Sequence, residues 1–191
     1  MSSSGLVRWG GLAAMAAGAV WVVSGILALV YQGVHAPGTF ADYLVEGTFA
    51  AGLLLTAVGM VGLHALQKDN YGRIGRAGFY TVVVASLGQV LGTVVLLAGS
   101  TALAWLVFPV GVLAVLVGVL AVLVGFVLYG AATLQARVLP RWCGIGLIAG
   151  LPIAIALGLY GGNVLFGLFW LALGHLLLQR GQLAEQPSRV R

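Results

Sequence analysis

Long apolar segments separated by short polar connections dominate the chain. A membrane-spanning helix needs about 20 apolar residues at about 1.5 Å per residue, and six segments come close to that length. These segments cover approximately residues 10–31, 42–66, 75–98, 107–136, 142–160 and 162–178. Because the connections are short, consecutive helices should be antiparallel neighbours. The pattern predicts an all-α, polytopic membrane protein with six transmembrane helices.

The six segments form one predicted domain over residues 1–181, followed by a short basic tail at 182–191. The first apolar run is longer than the core of about 7–15 residues in a signal peptide, which favours an uncleaved first helix. Residues 100–108 are apolar but too short to span. They are interpreted as an extension of helix four, an interfacial segment or a re-entrant segment. Pro109 fits the first turn of helix four.

Composition narrows the function classes. The chain of 191 residues is 61% hydrophobic and only 7% charged, whereas soluble domains contain about 25% charged residues. So few charged side chains cannot cover the surface of a soluble fold. The composition therefore excludes a soluble globular enzyme, a nucleic-acid-binding protein and a disordered chain.

Basic residues are distributed on one side of the predicted topology. The nine Lys and Arg residues are Arg8, Lys68, Arg73, Arg76, Arg137, Arg141, Arg180, Arg189 and Arg191. They fall in the N-terminal segment, the second and fourth connections and the C-terminal tail, and the other connections contain none. Because cytoplasmic loops are enriched in Lys and Arg, both termini are predicted to be cytoplasmic. The same residues are expected to meet anionic lipid headgroups.

Helix four contains the sequence Gly-Val-Leu-Ala-Val-Leu-Val twice in succession. The repeat places a seam of small residues on one helix face, at Gly111, Ala114, Gly118, Ala121 and Gly125. Small residues let membrane helices approach closely, and a seven-residue period favours a left-handed crossing. The seam is predicted to pack against another helix of the chain, with a second copy of the protein as the alternative.

His35, Asp42 and Glu46 form a candidate metal site near the outer ends of helices one and two. Asp42 and Glu46 are four residues apart and share a helix face. Carboxylates with an imidazole can bind a divalent cation. In the alternative interpretation, Thr39 and Asp42 belong to a capping box, Glu46 faces interfacial water and His35 is a loop residue.

His64 and His175 are predicted at similar depth, near the inner ends of helices two and six. Two facing histidines can ligate haem, so these are the candidate cofactor ligands. The alternative is a pair of interfacial histidines hydrogen-bonded to carbonyl groups or water.

Aromatic and amide side chains lie deep in the predicted spans. Phe166, Phe169 and Trp170 share a face of helix six, and Trp21 lies deep in helix one. The two tryptophans each need a partner for the indole N–H. This face is a candidate site for a quinone, a pigment or a lipid tail, with ordinary packing as the alternative. The Gln89 side chain in helix three is expected either to form a hydrogen bond with another helix or to line a narrow polar path.

No Asp, Glu, Lys or Arg lies in the middle of a predicted span. Intramembrane charges typically mark ion coupling, proton relays or voltage sensing, so the pattern argues against an ion-coupled transporter. Ser24, Thr56 and Thr133 are expected to hydrogen-bond back to their own helices. The single Cys143 excludes an intrachain disulfide and is interpreted as a packed thiol, with palmitoylation as the alternative.

Two motifs around the fourth connection carry a resemblance to a known group of proteins. The motifs are Tyr129-Gly130-Ala131-Ala132-Thr133-Leu134 and Arg137-Val138-Leu139-Pro140-Arg141-Trp142, followed by a glycine-rich helix from Gly144 to Gly158. From helix four onward, the chain resembles small six-helix bacterial membrane proteins of uncharacterised domain-of-unknown-function families, which are common in actinobacteria. The resemblance implies a six-helix fold in a bacterial cytoplasmic membrane and implies no activity.

The sequence therefore predicts a non-catalytic integral membrane protein that acts through helix packing, either as an accessory subunit of a membrane complex or as a small self-associating bundle. The alternative is a passive channel or carrier for a small or lipophilic solute, which would use Gln89 and the aromatic residues. A membrane enzyme or redox subunit using His64 and His175 is the third hypothesis.

Overall fold

A computed structural model describes residues 3–31, 39–98 and 104–185. This part of the chain is all-helical and contains six α-helices. They are α1 (Ser3–Val30), α2 (Phe40–Gln67), α3 (Arg73–Ala98), α4 (Ala104–Ala136), α5 (Arg141–Ala156) and α6 (Gly162–Glu185). All of the helices except α5 are long and apolar enough to cross a membrane.

The helices form a closed ring. Each helix packs against its neighbours in sequence, and α6 returns to pack along α1. The helices alternate in direction, so the connections α2–α3 and α4–α5 lie at the same end as the start of α1 and the end of α6. We call this the basic end, since every Lys and Arg of the described residues lies there. The opposite end is the open end.

Helix α5 is shorter than its neighbours. Its 16 residues rise about 24 Å, which is less than the hydrocarbon core of about 30 Å. A 3-10 turn over Gly158–Tyr160 continues the chain toward the open end. Gly161 then adopts a left-handed conformation with φ of 87°, which glycine tolerates without a Cβ clash. The chain therefore turns back into α6 within a tight hairpin.

The helix limits differ from the predicted spans mainly at their ends. Helix α1 begins before residue 10, and α6 continues to Glu185, which lies inside the predicted tail. Residues 104–108 extend α4, while 99–103 lie outside the described residues. The placement of Pro109 in the first turn of α4 was wrong, because the helix begins at Ala104 and Pro109 lies inside it. Thr39 is the N-cap of α2 and accepts a hydrogen bond from the Asp42 N–H at 3.4 Å.

Facing glycines bring neighbouring helices into backbone contact. At each of four helix interfaces, a methyl group on either glycine would meet the backbone of the helix opposite. The facing pairs are Gly10 with Gly62, Gly18 with Gly167, Gly78 with Gly125, and Gly130 with Gly144. Membrane helices gain no hydrophobic drive from association, so this close van der Waals packing is a main source of their attraction.

The small-residue seam of α4 meets α3 over part of its length. A methyl group at Gly125 would lie 2.9 Å from the Val82 backbone nitrogen, and one at Gly118 would lie 2.5 Å from Gln89 Cγ. Gly111 is also buried, Ala121 is half-buried and Ala114 is exposed. At Gly118 and Gly125 the seam therefore lies against α3 in the same chain.

A second glycine seam, which the sequence analysis missed, joins α1 to α6. Both helices carry glycine at every seventh position. The glycines are Gly11, Gly18 and Gly25 on α1, and Gly167, Gly174 and Gly181 on α6. A methyl group at Gly18 would lie 2.5 Å from the Leu171 nitrogen, and one at Gly174 would lie 2.6 Å from the Met15 nitrogen. The first and last helices are thus in contact along most of their length.

Replacing Gly18 with alanine should destabilise the ring, because α1 and α6 must separate to admit the methyl group. We expect Gly18→Ala to lower the free energy of unfolding by about 1–3 kcal/mol, the usual cost of overpacking. Chemical unfolding in detergent, followed by tryptophan fluorescence, measures the change. Gly88→Ala is the matched control, since nothing lies within 4 Å of a methyl group there. Equal stability of the two variants would contradict the role of the seam.

Candidate functional site

The ring encloses a chamber near the middle of the bundle. Its volume is about 150 Å³, and all six helices contribute to its wall. Trp21, Phe49 and Phe166 supply aromatic surface, while Ser86 and Gln89 supply polar groups. A cavity that every helix lines can exist only in the assembled bundle, and its shape depends on all of the helix contacts at once.

A wider vestibule adjoins the chamber toward the open end. It has a volume of about 420 Å³ and is lined by residues near the open ends of the helices, including Asp42, Glu46 and Thr93. Phe49 and Asn163 line both cavities, so the two spaces are neighbours along the bundle axis. The arrangement provides a route from the open end to the middle of the bundle.

Large side chains fill the half of the bundle toward the basic end. Trp170, Leu173 and Leu177 of α6 are fully buried, as are Met60 and Leu63 of α2. The ring of Trp170 lies 6.1–6.2 Å, between centroids, from Phe126 and Phe166, which line the chamber. Trp170 therefore closes the chamber on the side toward the basic end, and we call this side the floor of the chamber.

Polar residues on α3 mark the route from the vestibule to the chamber. Ser86, Gln89 and Thr93 are spaced at i, i+3 and i+7, which places them on one helix face. Gln89 and Ser86 line the chamber, and Thr93 lines the vestibule. The sequence hypothesis that Gln89 lines a narrow polar path is compatible with this position, although Gln89 also packs against Gly118 of α4.

Trp21 and Thr56 join α1 to α2 in the chamber wall. The Trp21 indole Nε1–H donates to Thr56 Oγ1 at 3.0 Å, and both side chains are buried. Gly52 leaves room for the indole, since a methyl group there would lie 2.9 Å from the ring. Thr56 was expected to bond back to its own helix, and the structure shows that its hydroxyl oxygen accepts a hydrogen bond from the other helix. The bond fixes the position of the largest side chain in the wall.

Ser86 differs from Thr48 and Thr133 in its hydrogen bonding. A helical Ser or Thr usually bonds to a carbonyl three or four residues earlier. Thr48 bonds in this way to Leu44 O and Thr133 to Tyr129 O, each at 2.9 Å. The Ser86 hydroxyl is completely buried, lines the chamber and has no hydrogen-bond partner. An unsatisfied buried hydroxyl carries a cost that a bound molecule would remove.

The aromatic residues predicted to share one face are divided between three places. Trp21 and Phe166 lie in the chamber wall, with ring centroids 5.4 Å apart. Trp170 lies below them, and its indole N–H is buried without a partner. Phe169 faces α5, where a methyl group at Gly146 would overlap its ring.

The two candidate haem ligands have different partners. His64 stacks on Phe79 at 4.2 Å and hydrogen-bonds through Nδ1 to the Tyr71 hydroxyl. His175 is exposed and hydrogen-bonds to Gln179 on its own helix at 2.9 Å. Burial raises the pKa of Tyr71 to about 12, so its hydroxyl stays neutral at physiological pH. Haem ligation by this pair stays a prediction.

The structure describes two of the three residues of the candidate metal site. His35 lies outside the described residues, while Asp42 and Glu46 both line the vestibule. Within the part of the chain that the structure describes, no group of three or more His, Cys, Asp or Glu side chains could hold a metal ion. Metal binding by the full triad stays a prediction.

Two further buried polar groups lie toward the basic end. Cys143 is fully buried at the start of α5. Gln67 ends α2 and is also fully buried, and neither its amide nitrogen nor its amide oxygen has a hydrogen-bond partner. Gln67 was not recognisable beforehand, because a glutamine at the end of a predicted span is typically exposed.

Comparison of the chain with protein-family models, curated proteins and solved structures found no match. The chamber and the residues that line it are therefore the candidate functional site.

Removing the hydroxyl of Thr56 should loosen the chamber wall. Thr56→Val leaves the Trp21 N–H unpaired, and we expect a loss of about 0.6–2 kcal/mol in the free energy of unfolding. Thr56→Ser keeps the hydroxyl acceptor and should lose less stability than Thr56→Val. Unfolding in detergent measures both variants. An equal loss from Thr56→Val in the natural protein and in a Trp21→Phe background would show that this hydrogen bond is not the cause.

Proposed function

We propose that the protein is a passive carrier for a small, weakly polar solute in a bacterial cytoplasmic membrane. The observation that supports this most directly is the chamber, which all six helices line and which contains Gln89 and the unpartnered Ser86 hydroxyl. Solute sites between packed helices are mostly apolar, with a few polar groups that fix orientation. The chamber has that composition, so this function takes precedence over a purely structural role.

The proposed topology has six spans, with the basic end in the cytoplasm. Five helices are long and apolar enough to cross a membrane, and α5 with the following 3-10 turn completes the sixth crossing. The concentration of Lys and Arg at one end supports the orientation, because cytoplasmic loops carry an excess of these residues. The vestibule then opens to the outside of the cell, and Asp42 and Glu46 place negative charge at its rim.

Transport through this bundle requires a conformational change. Trp170 and the buried leucines around it separate the chamber from the basic end, so the structure corresponds to a state open to one side only. No charged residue lines the chamber, so nothing there supplies ion coupling of the usual kind. The solute would move down its own gradient.

A second candidate function, an accessory subunit that binds another membrane protein, is favoured by one surface. A groove of about 630 Å³ runs between α3 and α4 on the outside of the ring, lined by Gly88, Ala114, Val117 and Ala121 among others. Small residues on an exposed helix surface allow a foreign helix to approach closely. Large substitutions such as Gly88→Leu should disrupt a complex by this route while leaving the chamber intact.

The accessibility of cysteines along α3 tests the carrier proposal. In a Cys143→Ala background, we expect Thr93→Cys to react fastest with a small neutral methanethiosulfonate added to intact cells. Gln89→Cys should react more slowly, since the reagent must pass the vestibule. Val82→Cys is the matched control on the same helix, because Val82 is buried against Gly125. It should react at least about tenfold more slowly than Gln89→Cys, since thiol reactivity follows access. Equal protection of Gln89→Cys and Val82→Cys would show that a small neutral molecule cannot enter the chamber, and the carrier proposal would fail.

The orientation has its own test in the same background. Tyr160 is highly exposed at the open end, and Gly72 lies at the basic end with nothing within 4 Å of a methyl group. We expect an impermeant maleimide to label Tyr160→Cys in intact cells and to label Gly72→Cys only after the membrane is opened. The reverse pattern would invert the proposed topology.

A further inference from the structure

The composition of the chamber indicates the chemical class of its ligand. We propose that the chamber binds a neutral molecule with one aromatic ring and one hydroxyl group, of the phenol class, with the hydroxyl directed to Ser86 and Gln89. The proposal rests on the proposed function, because it assigns a ligand to the same chamber. It follows from the volume of the chamber, the arrangement of its aromatic side chains and the position of its polar groups.

The volume of the chamber fits a molecule with one aromatic ring. The chamber measures about 150 Å³, and an apolar cavity of about 150 Å³ in another protein binds benzene. A two-ring molecule would need space that the neighbouring side chains of the floor occupy. The larger vestibule adjoins the chamber, so a longer substituent on the ring could extend only toward the open end.

Aromatic side chains surround the space with their rings at steep angles to each other. Trp21 meets Phe49 at 5.2 Å and 90°, and Phe166 at 5.4 Å and 76°, between ring centroids. Phe126 meets Phe166 at 6.1 Å and 82°. Aromatic rings favour edge-to-face and offset contacts, so a further ring in the chamber would find both ring faces and ring edges to pack against.

The polar groups of the chamber are concentrated on α3. Ser86 has no hydrogen-bond partner, although helical hydroxyl groups elsewhere in this protein bond to their own backbone. Gln89 lies three residues further along the same face and carries both a donor and an acceptor. A ligand hydroxyl can donate and accept, so one such group satisfies both side chains.

The charge of the ligand follows from the lining. None of the residues that line the chamber is ionisable, and an unpaired charge in such a site is costly. The acidic residues Asp42 and Glu46 line the vestibule instead, nearer to the open end. A phenol in its neutral form therefore fits the chamber better than a phenolate or an ammonium ion.

Binding of two matched probes tests the proposal. 4-Fluorophenol and fluorobenzene differ by one hydroxyl group, and fluorine NMR of the full-length protein in detergent follows both. We expect 4-fluorophenol to bind the natural protein about tenfold more tightly than fluorobenzene, the value of one hydrogen bond of ordinary strength. Ala154→Leu adds bulk to the chamber wall, and this variant gives the background from detergent.

One serine variant and one threonine variant separate the role of Ser86 from a general loss of stability. Ser86→Ala should weaken 4-fluorophenol binding about tenfold and leave fluorobenzene binding unchanged. Thr48→Ala is the matched control, since its hydroxyl bonds within α2 and does not line the chamber. Thr48→Ala should leave the affinity for both probes unchanged.

Three results overturn the proposal: no binding of 4-fluorophenol above the Ala154→Leu background, equal affinity for the two probes, or equal effects of Ser86→Ala and Thr48→Ala. Protection of Val122→Cys in the chamber wall from the methanethiosulfonate by 4-fluorophenol distinguishes failure of the ligand class from failure of the carrier proposal, since the Val122 side chain supplies no hydrogen bond to the ligand. A cysteine that reacts but is not protected refutes the ligand class and leaves the carrier proposal standing. A cysteine that never reacts refutes the carrier proposal itself.

Discussion

Backbone contact at facing glycines is the constraint on which the rest of the structure depends. Helices in a membrane cannot gain stability by removing apolar surface from water, so they associate through close packing and a few hydrogen bonds. Here the contacts at Gly10 with Gly62, Gly78 with Gly125, and Gly130 with Gly144 fix three interfaces of the ring. The longer contact between α1 and α6 closes it. A methyl group at any of these positions would push two backbones apart.

The positions of these contacts explain where the chamber forms. The three pairs lie in the half of the bundle toward the basic end, where large residues such as Trp170 and Leu173 also fill the interior. Toward the open end, α5 stops at Ala156 and the ring is completed by a short 3-10 turn. Tight packing at one end and a short helix at the other leave space between the helices. The hydrogen bond from Trp21 to Thr56 keeps that space from collapsing by fixing the indole in the wall.

The amino-acid sequence was sufficient to predict the helices but not their rotation about their own axes. The apolar runs placed every helix to within a few residues at most ends, and the sequence candidates Trp21, Gln89 and Phe166 marked three residues of the chamber. Phe49 gave no signal, because a helix that is apolar on all sides does not show which face is buried. The glycine seam between α1 and α6 was detectable, since it has the same seven-residue period as the seam on α4. Gln67 could not be recognised, because its burial depends on the neighbouring helices.

A crystal structure of the protein grown in lipid with 4-bromophenol would show directly whether the chamber binds a phenol, since bromine is located by its anomalous scattering. The account predicts a single bromine position inside the ring of helices and a ligand oxygen within hydrogen-bond distance of Ser86 Oγ. It also predicts that Gly18 faces Gly167 and that Gly78 faces Gly125. A structure in which the interior is filled by side chains, with Ser86 Oγ bonded to the carbonyl oxygen of Val82, would contradict the account.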